Sequence, residues 1–165
     1  MKKVNILKKV KVLFSQRKYS EILRLTESPL VVAAIENGVI HPEILVWKGR
    51  SILLSDDTTY KLSDVEKAYR KAIHMDENCT EALIELGFYY LNIMDNAKKA
   101  EVYFSKAINI YRERNTEVAI GMADTIMETQ SSPSAAKFLK NSGTHLLDTN
   151  AIKKNMRRVR KNEIV

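Results

Sequence analysis

The stretch EALIELGFYY, residues 81–90, constrains the fold more than any other part of the chain. It has the composition of an apolar helix, but Gly87 lies in its middle, where glycine costs about 1 kcal/mol relative to alanine. That cost is offset if the missing side chain lets a second helix pack closer than the usual separation of about 8 to 10 Å. We expect the ring of Phe104 to fill the space beside Gly87. Gly87 therefore predicts a tightly packed pair of helices.

The residues around Gly87 follow a recognisable spacing. The first helix reads Leu-x-x-Leu-Gly-x-x-Tyr over 83–90, and the second reads Ala-x-x-x-Phe-x-x-Ala over 100–107. This resembles the tetratricopeptide (TPR) repeat, a helix pair that recurs about every 34 residues. The Trp and Pro of that pattern are absent here. Residues 83–112 carry the best match.

The preceding segment, 46–77, matches less closely. Trp47 takes the first signature position, but Arg50 and Ser51 stand where Leu-Gly is expected. Its second helix supplies Val65, Tyr69 and Ala72 at the expected places. We interpret it as a second, divergent copy of the repeat.

A third copy is predicted downstream, over 117–142. Gly121 follows Gly87 at the period of the TPR family, about 34 residues, and Phe138 follows Phe104 at the same interval. Asp124, however, occupies the position of Tyr90. This copy is therefore interpreted as degenerate.

The whole chain is predicted to be all-α. Only five glycines and three prolines occur among 165 residues, and helix formers dominate. The resemblance implies a right-handed α–α superhelix, a TPR-like solenoid of about three helix pairs in a single domain. The predicted parts are N-terminal helices over 1–38, helix pairs over 42–77, 79–113 and 116–147, and a basic capping helix over 149–161.

Several residues predict where individual helices begin and end. Ser28 followed by Pro29 indicates a helix start, and Gly38 indicates its end. Ser63 and Glu66 have the spacing of a capping box that begins a helix predicted to end at about Met75. A break near Asn115 separates two predicted helices, 97–113 and 116–128. These signals predict ten helices joined by short links.

Charge is distributed unevenly along the chain. The net charge is +7, yet residues 1–24 carry +7, residues 151–165 carry +5 and the intervening body carries −5. The basic C-terminus could contact phosphates, which makes nucleic-acid binding through the termini an alternative function. No aromatic residue is interleaved there for base stacking, so a solvated tail is favoured over that alternative. The candidate basic contacts are Lys153, Lys154, Arg157, Arg158 and Arg160.

The sequence shows no pattern typical of catalysis or metal binding. His41, His74 and His145 are scattered, and the five glycines form no phosphate-binding loop. Cys79 has no recognisable partner base and is expected to be inert. We therefore expect a non-enzymatic protein without cofactor or metal. A lone cysteine and apolar runs too short to span a membrane favour a cytoplasmic location.

The helix over 79–93 has a second apolar stripe besides the one used for packing. Ile84, Phe88 and Leu91 share this outer face, and the resemblance implies that such positions line the concave groove of a superhelix. An amphipathic helix or an extended apolar peptide would fit it. The alternative is that helices of the same chain cover the stripe. The predicted contacts are Lys48, Ile52, Ile84, Phe88, Leu91, Val118 and Met122.

These observations predict a module that binds another polypeptide in an apolar groove. Its role would be that of an adaptor, a secretion chaperone or an inhibitor. Two alternatives stay open: an immunity protein that neutralises a bacterial toxin by direct binding, and nucleic-acid binding through the basic termini. The expected partner is a protein or peptide segment, such as a secreted effector or toxin.

Overall fold

The computed structural model describes residues 6–129, 131–142 and 148–161. This part of the chain contains nine α-helices, one π-helical turn and no β-strand, so the all-α prediction is confirmed. The helices are α1 (Ile6–Ser15), α2 (Tyr19–Thr26), α3 (Pro29–Glu36), α4 (Glu43–Leu54), α5 (Leu62–Met75), α6 (Thr80–Phe88), α7 (Ala97–Thr129), α8 (Ser132–Ser142) and α9 (Thr149–Lys161), with the π-turn at Tyr89–Ile93.

The predicted start and stop of α3 are confirmed. Ser28 is extended, with φ −60° and ψ 140°, and Pro29 is the first helical residue. Gly38 follows the helix with φ +64°, in the left-handed region that favours glycine. The local chemistry of these residues therefore sets both ends of the helix.

The predicted capping box at α5 is wrong. The helix begins at Leu62, two residues before the start at Asp64 that a Ser63 cap would give, and the Asp64 carboxylate accepts a hydrogen bond of 3.0 Å from the backbone N–H of Lys61. Glu66 instead accepts from the Tyr90 hydroxyl. Asp64 thus takes the capping position expected of Glu66, whose carboxylate is used in the tertiary contact with Tyr90.

The predicted break near Asn115 is also wrong. Helix α7 is continuous from Ala97 to Thr129, so the segments 97–113 and 116–128 are one helix. Neither glycine nor proline occurs in 97–120, and a lone asparagine lowers helix propensity only slightly. The Thr116 hydroxyl, which could have capped a new helix, donates to the Arg112 carbonyl one turn back at 2.7 Å.

The chain forms two compact units, Met1–Ala107 and Ile108–Val165, where the sequence suggested one domain. In the first unit α4 is the central helix and packs against α1, α2, α5 and α6. Two clusters of buried side chains make its core. The larger includes Leu23, Val46, Val65, Tyr69, Leu86 and Tyr90, and the smaller consists of Val10, Leu13 and Ile22.

The π-turn Tyr89–Ile93 ends the helix that carries Gly87. The Met94 N–H donates to the Tyr89 carbonyl five residues back at 3.1 Å, which adds one residue to the last turn. Asp95 then takes φ +47° and turns the chain towards α7. The consecutive residues Tyr89 and Tyr90 of this turn are both buried, at 3% and 2% exposure.

The second unit has a separate apolar core. Its buried members come from α7, α8 and α9: Ala119, Ala123, Ile126, Ala135, Leu139 and Ile152. Ile152 is buried and Met156 is half-buried, so α9 contributes apolar side chains to the core of this unit.

Candidate functional site

The helix pair at the candidate site is held together by the contact that Gly87 predicted. A Cβ atom placed on Gly87 would lie 2.6 Å from Cε1 of Phe104 and 2.9 Å from two further ring atoms. Real side chains do not approach so closely, so α6 and α7 reach this separation only because residue 87 is glycine. Ala100 and Ala107 lie on the same side of α7 as Phe104, and both are buried.

A second glycine makes the same contact and was missed by the sequence comparison. A Cβ atom on Gly49 of α4 would overlap the ring of Tyr69 on α5, which is completely buried. Gly49 therefore contacts Tyr69 as Gly87 contacts Phe104, and it lies two residues before Ser51, the position at which the resemblance expects a glycine. The signal was present in the sequence, because Gly49 precedes an aromatic residue of the next helix just as Gly87 does.

The candidate site is the outer surface of α6 and the π-turn, formed by Ile84, Phe88 and Leu91 and called here the α6 surface. Phe88 is 47% exposed and Leu91 is 42% exposed, while Ile84 is half-buried. The opposite side of the same helix is in the core, where Leu83 and Leu86 are almost fully buried. The helix is thus apolar on two faces, of which the first unit covers one.

Two different groups border the α6 surface. On one side the Phe88 ring meets the Phe104 ring edge to face, with centroids 5.1 Å apart. On the other, Glu85 binds Arg50 of α4, which donates from Nε at 3.0 Å and from an Nη at 2.7 Å. The Arg50 guanidinium also lies over the Trp47 ring, 4.7 Å from its centroid. Phe88 is held by its contact with Phe104 and Glu85 by its contact with Arg50, so the shape of the surface is set before any partner binds.

The structure does not bring Lys48 and Ile52 to this surface. Lys48 binds the Glu27 carboxylate at 3.0 Å and lies over the Tyr60 ring. Ile52 is 8% exposed and belongs to the core. Both lie about 200° around α4 from Arg50, the residue that faces α6. With Gly49 as the reference, Arg50 and Leu53 are the counterparts of Phe88 and Leu91.

Val118 and Met122 are also exposed, but they belong to the second unit. They lie four residues apart on α7 and are 73% and 49% exposed. Of the predicted basic contacts on α9, Lys153, Lys154 and Arg157 are exposed. The side chains of Arg158 and Arg160 lie outside the described residues.

A polar cluster fixes the π-turn that follows α6 against α5. The Tyr90 hydroxyl donates to Glu66 Oε1 at 2.5 Å and accepts from Arg70 at 2.7 Å, while Arg70 Nε donates to the same carboxylate. The Tyr90 ring stacks on the Tyr103 ring, and Lys99 Nζ lies 4.9 Å from the centroid of the Tyr90 ring. The hydrogen bond from Tyr90 is the main reason that the pKa of Glu66 lies below its usual value.

The candidate metal ligands among the described residues do not form a cluster. Among them no group of three or more His, Cys, Asp or Glu side chains is placed to hold a metal ion. Cys79 is buried, and burial raises the pKa of its thiol, which disfavours the reactive thiolate. His145 lies outside the described part of the chain.

Comparison with known proteins yields no relative. No family model, no curated protein and no solved structure matches the chain. Within the part of the chain that the structure describes, no helix is both long enough and apolar enough to cross a membrane.

Proposed function

We propose that this chain is a TPR-like helical-repeat protein that binds a segment of another polypeptide on the α6 surface. The proposal includes a solenoid order for the first unit, with α4 and α6 as the first helices of successive pairs. In support, α4 packs against α1 and α2 before it and α6 packs against α4 and α5. The two glycine contacts recur at equivalent places in the two pairs.

The observation that carries the proposal is the exposure of Phe88 beside a fully packed helix face. An exposed phenylalanine and leucine on one helix face are costly in water, since each buried apolar side chain is worth about 1.5 to 3 kcal/mol. Nearby Ile93 and Met94 are 36% and 48% exposed and extend the apolar area. Contiguous apolar surface of this kind is typical of protein interaction sites.

The chemistry of the surface favours a partner segment with an apolar face. The aromatic edge formed by Phe88 and Phe104 suits the side chains of an amphipathic helix or an extended apolar peptide. The Glu85 carboxylate is already paired with Arg50, so the borders add little net charge. Recognition would therefore depend mainly on burial of apolar area.

The test is capture of partners from the native host by the full-length chain, identified by mass spectrometry. Phe88→Glu places a charge in the middle of the α6 surface and should abolish the capture seen with the wild type. Val39→Glu is the matched control, because Val39 is 81% exposed on another part of the first unit and should retain capture. Far-UV circular dichroism should show equal helix content in all three proteins.

Retained capture by Phe88→Glu would contradict the proposal, as would the failure of the wild type to capture any partner. Peptides that span the captured protein then separate the possible roles. An adaptor or secretion chaperone should bind a short peptide, whereas an immunity protein should bind only the folded toxin. The immunity and nucleic-acid alternatives stay predictions.

A further inference from the structure

Helix α7 carries an exposed apolar stripe within the second unit. Its members, called here the α7 stripe, recur at alternating intervals of three and four residues: Ile108, Tyr111, Asn115, Val118 and Met122. Exposure is 52% for Ile108, 41% for Tyr111, 73% for Val118 and 49% for Met122. The spacing is that of the a and d positions of a heptad, the pattern of a helix that packs along another helix.

The core of the second unit uses a different face of the same helix. Ala119, Ala123 and Ile126 are the α7 residues buried against α8 and α9. They lie about 65° around the helix from the centre of the stripe, on the adjacent face. The unit therefore satisfies one apolar face of α7 and leaves the stripe open to solvent.

The charges of α7 are segregated along its length. Residues 97–115 contain five basic and two acidic side chains, while residues 116–129 contain three acidic side chains and no basic one. The first turn has no acidic residue and the last turn has no basic one. This order opposes the helix macrodipole, which favours acidic residues at the start and basic residues at the end. The stability of the single helix does not account for it.

We propose that α7 binds the α7 of a second copy of this chain in an antiparallel arrangement, with the two-fold axis close to Asn115. An antiparallel pair places the basic half of each helix along the acidic half of the other, whereas a parallel pair would bring like charges together. The boundary between the two halves coincides with Asn115. Asn115 is also the centre of the stripe, seven residues from Ile108 and seven from Met122.

A two-fold axis at Asn115 matches the stripe to itself. Ile108 of one copy lies opposite Met122 of the other, and the two Asn115 amides meet at the axis. A polar asparagine inside an apolar helix seam selects one register at a cost in affinity. The stripe extends for about 21 Å, since each helical residue advances about 1.5 Å.

The size of the stripe sets the strength of the association. Its four apolar side chains present roughly 100 Å² each, so two copies would bury about 800 Å² from these side chains and more from their neighbours. Specific interfaces begin at about 1200 Å² in total. We therefore expect a dimer that dissociates on dilution in the micromolar range. This assigns Val118 and Met122 to self-association, separate from partner binding on the α6 surface.

The first test is sedimentation equilibrium of the full chain between about 1 and 500 µM, concentrations that bracket a micromolar dissociation constant. The wild type should change from monomer to dimer across this range. Val118→Asp should raise the dissociation constant at least tenfold, and the control Val39→Asp should leave it unchanged. A wild type that stays monomeric, or a Val118→Asp dimer of unchanged affinity, would overturn the proposal.

The second test is disulfide formation, which reports the orientation directly. Asn115→Cys should oxidise to a covalent dimer, because residues at the axis lie within reach of a disulfide. Ile108→Cys mixed with Met122→Cys should give the mixed dimer in excess over either self-dimer. Cys79 is buried and should not contribute. Efficient self-dimers of Ile108→Cys would show a parallel pair and overturn the antiparallel arrangement.

Discussion

Gly87 and Gly121 lie 34 residues apart, the spacing on which the predicted third repeat depends, yet the structure uses them differently. Gly87 is buried against the Phe104 ring, in a space that would not admit a Cβ atom. Gly121 is exposed on α7, and a Cβ atom there would meet nothing within 4 Å. The same repeat spacing therefore yields a packing contact in one place and none in the other.

The difference depends on what lies between the helices. After Gly87 the π-turn and Asp95, with its positive φ, end the helix, so the chain can return and place Phe104 against it. Before Gly121 no such break exists, and α7 continues through Asn115. A glycine provides close packing only if the connecting segment brings a partner helix back to it. Spacing alone does not make a repeat.

The largest effect is expected from Gly49→Ala. The new methyl group would overlap the ring of Tyr69, which is fully buried. Overpacking of this kind costs about 1 to 3 kcal/mol, and the better helix propensity of alanine returns less than about 1 kcal/mol. We expect the free energy of unfolding, measured in urea, to fall by about 2 kcal/mol. The double variant Gly49→Ala/Tyr69→Leu should lose less than the sum of its single variants, and additive losses would show that the ring is not the obstacle.

An intermediate effect with a defined pH dependence is expected from Tyr90→Phe. Removal of the hydroxyl takes a hydrogen bond from the Glu66 carboxylate, a loss of about 1 to 2 kcal/mol at neutral pH. The pKa of Glu66 is below its usual 4.5 in the folded protein. The stability that its ionised carboxylate contributes is therefore present above pH 4.5 and is lost as pH falls through the pKa of Glu66 in the folded state. The difference in stability between wild type and variant should therefore shrink in acid.

Tyr89→Phe is the control for that pH dependence. The Tyr89 hydroxyl donates to the uncharged Leu62 carbonyl at 3.1 Å, so its loss should cost the same at pH 3 as at pH 7. Chemical denaturation at several pH values measures both variants. Parallel curves for Tyr90→Phe and the wild type would contradict the role given to Glu66.

The residues that predicted the fold correctly act through local geometry. Pro29 and Gly38 set helix ends through their own backbone preferences. Gly87 and Phe104 lie on consecutive helices, α6 and α7, which are joined by the π-turn and a short loop. The continuity of α7 through Asn115 could not be predicted, because a single asparagine is compatible with both a helix end and a helix interior. The outcome there depends on tertiary contacts, such as the hydrogen bond from the Asp148 N–H to the Thr116 hydroxyl.

Part of the candidate site was predictable and part was not. The exposure of Phe88 and Leu91 followed from the apolar character of both faces of one helix. The prediction places Lys48 and Ile52 at the site because its register for α4 starts from Trp47, whereas Gly49 makes the contact with the next helix. The Trp47 ring contacts the Phe14 ring, with 4.7 Å between centroids. The identity of residue 47 therefore carries no information about how α4 and α5 are aligned.

The most direct test of the account compares Gly87→Ala with Gly121→Ala by urea denaturation. Gly87→Ala should lower the free energy of unfolding by about 1 kcal/mol, because the Phe104 ring must move although it is half-exposed and can give way in part. Gly121→Ala should raise it by about 0.5 to 1 kcal/mol, because alanine is the better helix former and the position is open. Effects of opposite sign would support close packing at Gly87 as the reason for its glycine. Stabilisation by both substitutions would contradict it.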